Sequence, residues 1–303
     1  MTVQPRLRSP IKRIGGKSAS AERIVAAFPP ATSYKTYVEP CCGALHVLLC
    51  KPYDKRHEEI ISDLDNNLIT FWQQMLEHGQ SLAERMDALP YSRKWYYDYY
   101  RSLFDGTEMS DFERACRYFY TLRGTGTGWL RKSPVGWNYR GQGVQTFRSA
   151  LDIFEAVQER LRYVSIDNRD IVSTLKRTDD IHTFTYLDTP YLGAEMYYEA
   201  SKKGFPHAEV AALLNAAKGK VAFSCYPHPL IDEWYPVNKW RRLIWTQPKS
   251  SDIQSETQAM ATEVLLMNYE AEATTLWDNP SHIATQIASW STPVEAQEEE
   301  ESA

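Results

Sequence analysis

The sequence predicts an α/β fold, with a mostly parallel sheet covered by helices on both faces, on three observations. Short β-rich apolar runs alternate with helical patterns at both ends of the chain. Gly79, Pro206 and Gly219 stand where helices need to stop or start. Hydrophobic residues make up 43% of the 303, enough to bury a large core. Parallel strands need long crossovers, usually helical, and the alternation supplies them.

In chain order, TYVEP (36–40) and EEIISD (58–63) read as strands, followed by helices near 44–51 and 67–78, with Gly79 placed to end the second. After a break come strands at YVSI (163–166), FTYLD (184–188), KVAFSC (220–225), RRLIWTQ (241–247) and EVLLMNY (263–269), with helices fitting 149–162 and 206–218. Residues 81–148 interrupt the rhythm with Tyr-rich helical stretches and then GTGTGWLRKSPVGWNYRGQG. Six of the 14 glycines fall in that last segment, and so long a Gly-rich loop is either functional or disordered. The division expected is therefore 1–80 with 149–291 as one α/β domain, 81–148 as an inserted and mainly helical domain, and 292–303 as a disordered acidic tail.

Net charge is −5, yet the charge is unevenly spread. Between Phe112 and Arg148 seven basic residues face one acid, Glu113, whereas Pro293–Ala303 holds five Glu and no base. A basic stretch inside the fold suits nucleic acid in spite of the total. The five cysteines show no paired spacing and read as reduced thiols, neither a disulfide frame nor a zinc site. No 18-residue apolar run occurs, so the expectation is a soluble, cytoplasmic protein with no membrane span.

Three segments carry chemistry. In FTYLDTPYLG an apolar strand delivers Asp188 at its C-terminal end, where open α/β sheets place their ligands. Pro190 holds Thr189 extended. One carboxylate, one main-chain carbonyl and the ring of Tyr191 are thereby set side by side. An aromatic amino group is a poor nucleophile because its lone pair is delocalised. Two acceptors on its N–H groups draw the nitrogen toward tetrahedral geometry while a ring stacks on the base. On this segment alone, a strand running into an ordinary turn fits as well.

In TYVEPCCGAL a strand ends at Glu39 and Pro40, and Gly43 opens a turn where a ligand approaches the backbone, without the dinucleotide fingerprint. Twenty residues on, IISDLDNNL places Asp63 at the end of the next strand, suited to ribose hydroxyls unless it is a helix N-cap, a role Asp65 or Asn66 could fill. KRIGGKSAS resembles a phosphate loop only in part, since Ile11 stands where that loop needs glycine. Gly15 and Gly16 could instead bring the Lys17 ammonium to a small carboxylate.

The order GGK, strand-E-P-x-x-G, strand-D-x-D, strand-D-x-P-Y resembles the DNA adenine-N6 methyltransferase family, in the class of the GATC-methylating enzymes, from about Ile11 to Tyr269. The resemblance implies a Rossmann-like methyltransferase sheet, S-adenosylmethionine as cofactor and double-stranded DNA as partner. It places Lys17 and Gly16 at the methionine carboxylate, Glu39, Pro40 and Gly43 along the methionine, Asp63 on the ribose and Asp170 near the adenine. Asp188, Thr189, Pro190 and Tyr191 match the family's DPPY catalytic motif. The family's target-recognition domain falls at 81–148.

Three departures stand out. Arg13 replaces an aromatic residue, CCGAL lacks the second glycine of its turn, and Thr189 replaces the first proline of DPPY. The reading reached is methyl transfer to N6 of a flipped adenine. Arg123, Arg131, Lys132 and Arg140 are expected on phosphates, no metal is needed, and the chain is expected to be a monomer or weak dimer. Cytosine-N4 methylation and an inactive DNA-binding relative are the alternatives. His46, His182, His207 and His228 show no ligand spacing and read as structural.

Overall fold

The computed structural model describes residues 7–131, 136–138, 143–193, 204–248 and 260–271. Seven strands form one sheet: β1 Thr36–Glu39, β2 Glu58–Ser62, β3 Val164–Asp167, β4 Thr183–Asp188, β5 Lys220–Cys225, β6 Arg241–Pro248 and β7 Met260–Met267. Their spatial order is β3-β2-β1-β4-β5-β7-β6. The first five run parallel to one another, and β7 enters between β5 and β6 antiparallel to both. From β1 the chain works outward to β3, then returns to lay β4 on the other side of β1. That reversal opens a crevice at the carboxyl ends of β1 and β4, where such sheets bind ligands.

Alternation along the central strands feeds two hydrophobic cores. Phe184 and Tyr186 of β4 face one, and Leu187 faces the other. The first core lies under α1 Ala21–Ala26, α2 His46–Cys50, α3 Asn66–Asp87, α4 Arg93–Ser102, α5 Asp111–Gly124, α6 Gly143–Leu151 and α7 Phe154–Leu161. The second lies under α8 Ile171–Thr178, α9 His207–Ala216 and α10 Pro229–Trp234. Helices therefore cover both faces of a Rossmann-like sheet.

Within 81–148 the described residues form the end of α3, then α4, α5 and the start of α6, joined by non-helical segments such as 103–110 and 125–131. Tyr96, Tyr100, Tyr118, Phe119 and Tyr120 share the first core with Trp72 and Tyr37, and α3 and α6 run across the expected boundaries. The expected tail, 292–303, lies outside the described residues.

Two elements differ from expectation for local reasons. Gly79 does not end α3, which kinks at His78 (φ −135°, ψ 28°) and continues to Asp87. A Cβ on Gly79 would lie 2.8 Å from Gln158 Oε1, so glycine serves the close approach of α7. The helix expected at 149–162 is two, α6 and α7, and α6 begins earlier, at Gly143. No helix among the described residues is long and apolar enough to cross a membrane.

Candidate active site

The crevice contains a cavity of about 400 Å³, within the range of small-molecule sites. Gly15, Gly16 and Lys17 line it from the N-terminal segment, and Glu39, Pro40 and Gly43 from the end of β1. Asp63 follows β2, Asp170 follows β3, and Asp188 and Pro190 close β4. Apart from Thr189 and Tyr191, every residue expected to bind cofactor or act in catalysis thus lines one cavity.

The β1 turn is built as a cradle. Gly43 adopts φ +48°, and a Cβ there would meet nothing within 4 Å, so its backbone faces open space. Its N–H donates to Asp63 Oδ2 (3.1 Å), and its carbonyl accepts from Trp72 Nε1 (3.0 Å). Asp65 takes the N-cap of α3, accepting from the N–H groups of Asn67 and Leu68, and Asp63 instead lines the cavity, its Oδ1 accepting the Asp65 N–H (3.0 Å). Burial raises the pKa of Asp63, partly offset by the Arg13 guanidinium. Burial also pushes Glu39 up to about 8, in spite of a 2.5 Å hydrogen bond from the Tyr37 hydroxyl.

The end of β4 holds a second cluster. Asp188 Oδ1 lies 2.6 Å from Lys17 Nζ and 3.2 Å from the Tyr191 hydroxyl. Glu263, on β7, is 1% exposed and lies behind them. It accepts the Tyr191 hydroxyl and the Gln247 amide (3.0 Å), with Lys17 Nζ at 3.5 Å. Burial raises both carboxyls, and each gains back part of its acidity from Lys17.

Three expectations change in detail. Tyr191 does not line the cavity, because its hydroxyl is drawn to Asp188 and to the buried Glu263. Lys17 stands 4.9 Å from the centroid of its ring and Tyr226 packs edge-on at 4.3 Å. Asp170 lines the cavity but serves as N-cap of α8, its carboxylate bonded to Ser173 N–H (2.9 Å) and Oγ (2.6 Å) and its pKa lowered by those bonds. Arg123 is 8% exposed and donates to the Thr146 carbonyl, so it is core rather than phosphate-facing surface. Burial lowers its pKa to about 10. Arg131 is exposed, its guanidinium over the Trp129 ring, whereas Lys132 and Arg140 lie outside the described residues.

Sequence reasoning missed Glu263, which sits in an apolar strand pattern with no motif around it. It also missed His46, which lines the cavity beside Lys17, with burial and that ammonium lowering its pKa to about 4. Arg13 reaches the cavity too, bonded to Asp65 (2.7 Å) and the Tyr118 hydroxyl (2.6 Å). Among the described residues no three of His, Cys, Asp and Glu gather closely enough to hold a metal ion.

The solved structures that align with the chain include two methyltransferases. A candidate RNA methyltransferase from Pyrococcus horikoshii is 9% identical, with 89% of this chain and 91% of that one covered and a TM-score of 0.37. The rRNA methyltransferase aviRa from Streptomyces viridochromogenes is 16% identical, with 82% and 81% covered and a TM-score of 0.31. Among curated proteins none matches. The model of one family matches residues 14–246, from the Gly-Gly-Lys segment through β6, and the chain therefore belongs to the D12 class of N6 adenine-specific DNA methyltransferases.

Proposed function

We propose that the cavity binds S-adenosylmethionine and that Asp188 and the Thr189 carbonyl receive the amino group of a flipped adenine from double-stranded DNA. The residues fit the cofactor. An open backbone turn at Gly43 suits its methionine arm, and Asp63, released from capping, suits ribose hydroxyls. A rim with the carboxylates of Asp63 and Asp188 suits a cation. When bound, the cofactor supplies an electrophilic methyl group.

The chain's own contribution is orientation. Asp188 Oδ1 accepts from the Lys17 ammonium (2.6 Å), and the Tyr191 hydroxyl shares its one proton between that oxygen (3.2 Å) and Glu263. A carboxylate fixed by one oxygen presents the other in a set direction to an incoming N–H. The Thr189 hydroxyl is turned to the Pro190 carbonyl (3.3 Å) and the residue is buried, which favours a main-chain role over a side-chain one. Trp129, Phe104 and Phe205 line the same cavity and offer it apolar surface.

The observation that carries this reading is Asp188, at the carboxyl end of β4, opening on the cavity while held from behind by a buried ammonium. Transfer of tritiated methyl groups to unmethylated DNA, with nucleoside analysis, tests it. N6-methyladenine is expected; N4-methylcytosine, or no incorporation, would overturn it.

A further inference from the structure

Asp188 lines the cavity and Glu263 does not. Glu263 comes from β7, the strand furthest in sequence from the Gly-Gly-Lys segment, yet it meets that segment at the active end of the sheet. The antiparallel direction of β7 is the cause: its middle lies beside the carboxyl end of β5, as the pairing of Val264 with Cys225 shows. Glu263 is almost fully buried, and such a carboxylate survives in a core only if donors surround it.

Its donors are the ones that hold Asp188. The Tyr191 hydroxyl lies within hydrogen-bond distance of both carboxylates, and Lys17 Nζ lies 2.6 Å from Asp188 and 3.5 Å from Glu263. Lys17 is further tied to the Gly15 carbonyl (3.0 Å), and Gln247 closes the other side of Glu263. Glu263 therefore anchors, from behind, the two groups that orient Asp188 from the side.

We propose that Glu263 is a positioning residue for methyl transfer: it fixes Tyr191 and Lys17, so that Asp188 keeps one oxygen on them and the other toward the amino group. Removing it leaves the Tyr191 hydroxyl and the ammonium to redistribute over Asp188, and the carboxylate loses its set direction. The cradle at Gly43 and Asp63 is built by β1, β2 and α3 and does not depend on it.

The inference rests on the role given to Asp188, and three variants separate the two. In single-turnover assays on unmethylated DNA, Glu263→Ala is expected to slow methyl transfer by about tenfold or more, with S-adenosylhomocysteine affinity changed by less than about threefold. Glu263→Gln keeps an acceptor for the Tyr191 hydroxyl in the same shape and is expected to recover most of the rate. Unchanged rates in Glu263→Ala, or a Glu263→Gln protein that binds S-adenosylhomocysteine normally but is as slow as Glu263→Ala, would overturn the proposal. Active Asp188→Ala protein would instead overturn the reading of Asp188 itself.

Discussion

Leu45 holds a backbone angle usually left to glycine, φ +55°, directly after the Gly43 turn. The sequence lacks a second glycine there, and the turn takes the left-handed conformation regardless, because the Leu45 side chain is fully buried. The strain costs about 1–2 kcal/mol, whereas emptying a buried leucine site costs about 2.7–5 kcal/mol. Leu45→Gly is thus expected to destabilise the protein by about 2 kcal/mol in urea unfolding, although it relieves the backbone. Thr189 gives the matching test at the catalytic motif. If its carbonyl is what acts, Thr189→Ala should keep its single-turnover rate within about threefold of the parent chain. A dead but folded variant would assign the work to the hydroxyl. At this scale the sequence was informative wherever a residue sat in a motif: Lys17, Glu39, Asp63 and Asp188 all line the cavity. It was silent where chemistry came from pairing across the sheet, as for Glu263, and it placed Arg123 on the surface because a charge count carries no burial.

Helix α3 shows why boundaries were harder to read than elements. Glycine is the usual helix stop, so Gly79 predicts an end. The chain instead kinks at His78 and goes on, and Gln158 of α7 donates to the Leu76 carbonyl at 3.0 Å. The partner is 82 residues away in sequence, beyond the reach of any local pattern. Gln158→Ala should therefore cost about 1 kcal/mol, measured by thermal or urea unfolding, since it leaves a carbonyl at the kink without that donor. Strands were read more closely: KVAFSC is β5 to the residue, and the others start or end within a few residues of expectation. Short helices were missed, among them α8, whose IVSTLKRT sequence begins with β-branched residues that locally favour strand.

Across the whole molecule, charge is sorted by place. Acids with raised pKa values, Glu39, Asp63, Asp188 and Glu263, gather at the rim of the sheet. For Glu39 the fold raises the value from 4.5 to about 8, so its proton stays on in the fold after the unfolded chain has lost it. Its stabilising contribution is complete below pH 4.5 and is lost as pH rises through about 8. Glu39→Gln should flatten the fall of Tm between about pH 5 and pH 8. On the opposite sign of charge, Arg131 is exposed and Arg123 is not. Replacing Arg131 by Ala should flatten the salt dependence of DNA affinity by about one unit. Arg123→Ala should leave that slope alone and lower thermal stability. A slope that responds to Arg123 and not to Arg131 would put the DNA surface elsewhere.

The last described strand, β7, is not at the edge of the sheet but one place in from it. A chain still being synthesised has β5 and β6 before β7 exists, and each then presents an unpaired row of N–H and C=O groups to its surroundings. The register that joins them runs through eight consecutive residues of β7 against β6, from Met260 opposite Pro248 to Met267 opposite Arg241. Until that segment has left the ribosome, the sides of β5 and β6 that β7 will cover stay open and no Glu263 stands behind Asp188. The nascent protein is then at its most prone to stick to another chain and has no assembled centre.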